Sequence, residues 1–232
     1  LMKSKAILGD REYAISRTDI DFNPDQPKYF QKNNFLALVN TAKLANYKIK
    51  YNPSNRMLSV LRKRKELIRV NLSNESKRLD LVEFLYTELN INRVNKLDIV
   101  RATEGTNQHT FSDLPDKVLS FINLSTVKSF SERIGLTIDP LRFRANINFS
   151  SNVPWLEFGC LNYKFKINKV VLEVIKKTQR CGATAVNPLT AIRDINIPKH
   201  LKSNYGHTDF GIYATVLKGG EIIVGDSIEI LQ

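Results

Sequence analysis

Lys169-Val170-Val171-Leu172-Glu173-Val174-Ile175-Lys176-Lys177-Thr178-Gln179-Arg180-Cys181 is the stretch on which the reading of this chain turns. Residues 169–177 are rich in β-branched and aliphatic side chains and predict a strand. That strand runs out at a thiol beside Arg180, with Asn187-Pro188 and Arg193-Asp194 following. Cations beside a cysteine favour its thiolate, and a thiolate at the mouth of a barrel is a ligand for a soft transition metal. A lone cysteine is more commonly a small buried hydrophobe. Cys160, between Gly159 and Leu161 in an apolar stretch, fits that description. Two cysteines so far apart give no disulfide framework and point to a reducing, cytoplasmic compartment.

Working outward from this segment, the C-terminal part reads mostly as strands: 143–149, 163–167, 169–177, 210–217 and 221–230. Gly219-Gly220 predicts a hairpin between the last two, because a tight turn needs positive φ. Toward the N-terminus, 12–16 alternates like a strand and 21–27 reads as a loop. Residues 35–39 form an apolar segment running into a short helical patch at 42–45. Lys48 to Tyr51 and Arg56 to Leu61 form a hairpin around Asn52-Pro53-Ser54-Asn55. Ser76 or Asn74 caps a helix whose apolar face carries Leu79, Leu81, Val82, Phe84, Leu85 and Leu89. Residues 95–102 read as a strand and 104–115 as a polar loop. Ser125 or Thr126 opens a second helix, closed by Gly135. The expected class is α+β: a mostly antiparallel β-barrel over 93–232, with a smaller β-rich subdomain over 1–92.

The charge balance narrows the partners. Lys plus Arg number 35 against 23 Asp plus Glu, for a net charge of +12. The one dense run, Arg62-Lys63-Arg64-Lys65, lacks the interleaved aromatics of a single-strand nucleic-acid platform. It reads as a solvated strand end or turn; as a functional patch it would suit an acidic protein or an anionic surface as well as nucleic acid, and for the chain as a whole nucleic acid is not the expected partner. No apolar run reaches the roughly 20 residues of a membrane span, and no cleavable leader opens the chain.

Five motifs then occur in one order: Asp139-Pro140-Leu141-Arg142-Phe143-Arg144-Ala145-Asn146-Ile147; Pro154-Trp155-Leu156-Glu157; Arg180-Cys181 with Asn187-Pro188, Arg193-Asp194 and Ile197-Pro198; His207-Thr208-Asp209-Phe210-Gly211-Ile212-Tyr213; and Gly219-Gly220-Glu221-Ile222 with Val224-Gly225-Asp226. In this order the chain resembles MOSC domains, the family of the molybdenum cofactor sulfurase C-terminal domain and the mitochondrial amidoxime reducing component. The resemblance covers residues 95–232, and Gly9-Asp10-Arg11 resembles the start of that family's N-terminal β subdomain. The Tyr-Pro-x-Lys strand that usually precedes it is not read here.

The resemblance implies a molybdenum cofactor, a pterin dithiolene bearing a phosphate, with Cys181 as its protein ligand. Arg144 and Asn146 match the family's Arg-x-Asn and would meet the phosphate or pterin. Arg180, Thr208, Asp209, Tyr213 and, from the N-terminal subdomain, Lys32 are further candidate cofactor contacts. His207 is a candidate proton donor. His109, Phe111, Ser112 and Asp113 resemble a loop that places polar groups near the cofactor. Trp155 and Glu157 read as structural. The implied activity is two-electron reduction of N-hydroxylated or N-oxide substrates. The chain carries no CxxC pair, dinucleotide fingerprint or haem motif, so electrons must come from a separate donor protein, an acidic one by charge. A different class of function is a carrier of cofactor, or of sulfur as a persulfide on Cys181, without turnover.

Overall fold

A computed structural model describes residues 1, 6–17, 20, 22–23, 29–94, 96–102 and 111–232. The expected loop at 21–27 lies mostly outside them, as do Asn95, His109 and most of the polar loop. The chain forms two compact units. One comprises Leu1–Leu8, Asp116–Pro188 and Arg193–Gln232; the other comprises Gly9–Pro115 and Leu189–Ile192.

In the unit built on Gly9–Pro115, β1 (Tyr13–Ser16) pairs antiparallel with β5 (Asp98–Arg101). A meander of β2 (Lys48–Asn52), β3 (Met57–Arg62) and β4 (Lys65–Asn71) forms a three-stranded sheet. Helix α1 (Glu75–Leu89) starts where the Asn74 side chain accepts from the Lys77 N–H, and stops at Asn90 in the left-handed region. Its buried stripe, Leu81, Val82, Leu85 and Leu89, meets Val60, Val70, Leu72 and Ile99 from the strands. Leu79, expected on that stripe, is 59% exposed. It falls two residues before Leu81 and therefore on another side of the helix. The apolar segment 35–39 forms no strand; Phe35 is buried and bridges Ser16, and the helical patch is a short 3-10 turn, Ala42–Asn46.

The other unit is organised on a six-stranded sheet in the order β11-β8-β9-β10-β6-β7. Its strands are β6 (Val118–Asn123), β7 (Ile147–Phe149), β8 (Lys164–Ile167), β9 (Val170–Gln179), β10 (Asp209–Lys218) and β11 (Glu229–Leu231). All neighbours are antiparallel except β6 and β7. Leu119 and Phe121 of β6 and Ile212, Ala214 and Val216 of β10 join one apolar cluster with Phe165 and Leu172. Ile122 and Phe210 join a second with Val127 and Phe130 of α2 (Leu124–Ile134) and Ile197 and Leu201 of α3 (Ile197–Tyr205).

Three expectations are corrected. The sheet curls into an open half-barrel rather than a closed barrel, with β7 and β11 as its edges. No hairpin forms at Gly219-Gly220: neither glycine has positive φ, and β11 pairs with β8 instead of β10. Residues 140–143 form a 3-10 turn, so β7 is shorter than the strand expected over 143–149.

Candidate functional site

β9 delivers Cys181. The strand ends at Gln179, and the chain turns into a short 3-10 segment, Gly182–Ala185, for which Cys181 is the N-terminal cap residue. The Thr184 N–H and hydroxyl both donate to the Cys181 carbonyl, at 3.1 and 2.9 Å, and Arg193 donates to the Gly182 carbonyl at 2.6 Å. These bonds hold the backbone while the Cys181 residue stays exposed. Cys160 is the opposite case: it is 3% exposed, its thiol donates to the Leu156 carbonyl, and burial raises its pKa.

Arg180 does not turn toward solvent. Its Nε donates to the Phe210 carbonyl at 2.8 Å, one Nη donates to the Phe143 carbonyl at 3.1 Å, and its guanidinium lies over the Phe143 ring. Phe143 in turn stacks on Phe210 at 4.1 Å. This packing ties the 3-10 turn Pro140–Phe143 to the first residues of β10. The same turn carries Arg142, whose side chain is 3% exposed and grips Asp194 through an ion pair of 2.8 Å at one oxygen and a hydrogen bond of 2.9 Å to the other. Arg142 also donates to the Ala185 carbonyl, and Asn187 donates to Asp194. The guanidinium therefore holds the Asp194 carboxyl down at about 2. Sequence reasoning quoted Arg142 and Asp194 within motifs but gave them no role. The available signal was the Asp139-Pro140 cap, which fixes a turn just before two arginines.

Arg144 follows that turn in the left-handed region, at φ 49°. Among the described residues no acid pairs with it. The residue is exposed as a whole, yet the protein around its guanidinium lowers its pKa from the usual arginine range through desolvation alone. A partly desolvated cation without a counter-charge is a ready anion site.

The other predicted residues divide. Asn146 is tied to β6: its Oδ1 accepts from the Ser120 N–H and hydroxyl, and its own N–H donates to Ser120 Oγ. Thr208 offers its carbonyl to the Arg180 N–H, and Asp209 opposes Gln179 at the start of β10. Those two positions and His207 therefore lie beside the end of β9. His207 is half-buried against Trp155, Phe158 and Tyr205, and its Nδ1 accepts from the Asp209 N–H at 3.2 Å. With Nδ1 accepting, a neutral ring carries its proton on Nε2. Tyr213 lies further along β10, opposite Lys176 and Ser120, while its neighbours Ile212 and Ala214 enter the core. Lys32 lies in the other unit and forms an ion pair with Asp113.

A cleft of about 710 Å³ opens between the sheet's two edges, lined by Ile147, Phe149, Phe165, Ile167 and residues 222–228 and 230. Of the predicted site residues only Asn146 reaches it. Among the described residues no cluster of His, Cys, Asp and Glu could hold a bare metal ion, and no helix is long and apolar enough to cross a membrane.

The MOSC domain family model matches residues 106–229, more than half of the chain. The chain belongs to the MOSC domain family, which is associated with the molybdenum cofactor. A solved structure, YiiM from Geobacillus stearothermophilus, is 20% identical, with a TM-score of 0.38, over 49% of this chain and 54% of that one. The chain thus spans about half the length of that protein. No curated protein matches it.

Proposed function

We propose that this chain is a molybdenum-cofactor-binding oxidoreductase that reduces N-hydroxylated or N-oxide substrates, with Cys181 as the metal's protein ligand. The observation that carries the proposal is Arg144, a partly desolvated guanidinium with no acid partner among the described residues, on the turn that Arg142 and Asp194 fasten to the Cys181 loop. The donor set fits the group. A thiolate suits a metal already bound by two soft sulfurs, and a guanidinium forks onto a phosphate. Bound there, the cofactor would supply two-electron redox chemistry.

This chain's own residues would do the holding. Cys181 is exposed, with its carbonyl held by Thr184. Arg142 fixes the loop, Arg144 takes the anionic end of the cofactor, and Thr208, Asp209 and Asn146 offer polar groups along it. His207, its Nδ1 occupied by the Asp209 N–H, offers Nε2–H as a proton donor to substrate. Tyr213, further along β10, would be an outlying contact. Electrons come from a separate acidic donor protein. The exposure of Cys181 also favours a second reading, a carrier that holds sulfur as a persulfide without turnover.

Molybdenum content after expression in a cofactor-producing host tests the assignment. Wild type retains metal, Cys181→Ala loses it, and Arg144→Met retains about tenfold less or lower still. Equal metal in all three proteins overturns the ligand assignment. An extra sulfur on the Cys181 peptide of anaerobically purified protein, with no molybdenum, selects the carrier.

A further inference from the structure

The turn between β3 and β4 is built from unsuitable residues. Its central pair, Lys63 and Arg64, have φ of 48° and 68°. Two successive left-handed residues define the primed hairpin turn that Asn-Gly or Asp-Gly occupies with least strain. Here long cationic side chains stand in those positions, between Arg62 and Lys65, and all four residues are exposed. Arg62 is tethered to Glu88 at 2.9 Å. Lys63, Arg64 and Lys65 form no ion pair among the described residues.

The neighbouring strand adds to the charge. β2 is the edge of this sheet, and its Lys48 pairs with Leu61, next to the turn. Lys48 and Lys50 are exposed, with Ile49 between them at 53% exposure. The nearby acids are engaged: Glu66 by Arg69, and Glu88 by Arg62 and the Tyr47 hydroxyl. Lysines on an edge strand deter self-pairing. That account leaves the strained cations at the turn unexplained, and local strain of this kind is a ground for seeking a function there.

We propose that the edge of β2, unpaired among the described residues, and the β3–β4 turn form a docking surface for an extended acidic segment of a partner protein. Such a segment can pair its backbone along β2 and set carboxylates opposite Lys48 and Lys50, with an apolar residue against Ile49. Nucleic acid is the poorer fit, because the neighbouring rings are occupied. Arg62 lies over Tyr47, and the Tyr51 hydroxyl donates to Glu12. An anionic membrane is also the poorer fit, because residues 62–66 carry no apolar wedge beside the charge. The inference does not rest on the molybdenum reading, so Cys181→Ala leaves it intact.

Fluorescence anisotropy tests it, using a short labelled peptide of alternating glutamate and valine. Wild type binds this peptide, and binding weakens with salt. The double variant Lys63→Asn/Arg64→Gly keeps the turn and weakens binding about tenfold, while Lys128→Asn/Lys199→Asn, which removes equal charge elsewhere, weakens it about twofold at most. A glutamate–proline repeat has the same charge but lacks every second N–H and so cannot complete a ladder along the edge, and it binds more weakly than the valine peptide. The Asn-Gly variant melts at a higher temperature than wild type. The proposal is overturned by equal losses in the two doubles, by equal binding of the proline peptide, by a lower melting temperature for the Asn-Gly variant, or by tighter binding of single-stranded RNA or phosphatidylserine vesicles.

Discussion

Gly211 shows at the scale of one residue how the candidate site is held. Its φ is 74°, and a Cβ there would lie 2.2 Å from the Phe121 carbonyl oxygen, 3.0 Å from Ile122 Cγ2 and 3.3 Å from an Arg180 Nη. A side chain would therefore push β10 away from β6 just where Arg180 crosses. Gly211→Ala is expected to cost about 3 kcal/mol in urea unfolding, combining left-handed strain with overpacking. A loss below about 1 kcal/mol would show that the strand relaxes around the methyl group. Phe-Gly was legible as a motif, but its reason was not, since the clash involves backbone from a different strand. Cys160 was legible as a buried hydrophobe from its apolar neighbours. Arg180 was not legible: a cation next to a thiol reads as its counter-charge, yet its guanidinium goes to carbonyls 30 and 37 residues away.

Among the elements, sequence signals succeeded where the physics is local. Asn74, one of the two caps the sequence offers, and Gly135 act within one turn of their helices, whereas α2 is capped by Asn123 rather than opened at Ser125 or Thr126. Strand β6 escaped because its buried residues run continuously and show no alternation. β4 and α3 were also not read, although Ile68, Val70 and Leu72 alternate. β11 was overextended because Ile222 to Val224 look like strand but lie at the cleft's edge instead. The 3-10 turn Leu156–Gly159 carries the feature that most affects how elements join. Glu157 is fully buried, and one oxygen accepts from Asn123 at the end of β6 and from Thr126 in α2, at 3.2 and 3.1 Å. Among the described residues its other oxygen has no hydrogen-bond partner. Burial is the main cause and raises the carboxyl above its usual 4.5. An acid whose pKa is raised by folding stabilises most while protonated, so its contribution is present below 4.5 and is lost as pH rises through the folded value. Glu157→Gln cannot ionise. Relative to wild type, its stability should therefore improve steadily from pH about 4.5 toward neutrality in urea titrations. A difference independent of pH would mean that the buried carboxyl does not titrate over that range.

For the whole molecule, the α+β class was legible in composition and strand pattern, but closure of the sheet was not. Whether β7 and β11 meet depends on pairing across the entire unit, which no local window of sequence contains. Net charge, by contrast, is a global property that sequence reports directly. A net charge of +12 would draw an acidic partner over distances that salt cuts to about 10 Å at 0.1 M. With an acidic electron-transfer protein as reductant, the second-order reduction rate of metal-loaded protein should fall about tenfold between 20 and 200 mM NaCl. A small uncharged reductant has no field to feel, so its rate should stay level over the same range. Parallel declines for the two reductants would place the salt effect on the site itself and remove the case for an acidic donor. A flat rate with the protein donor would mean that the surface charge steers nothing to the site.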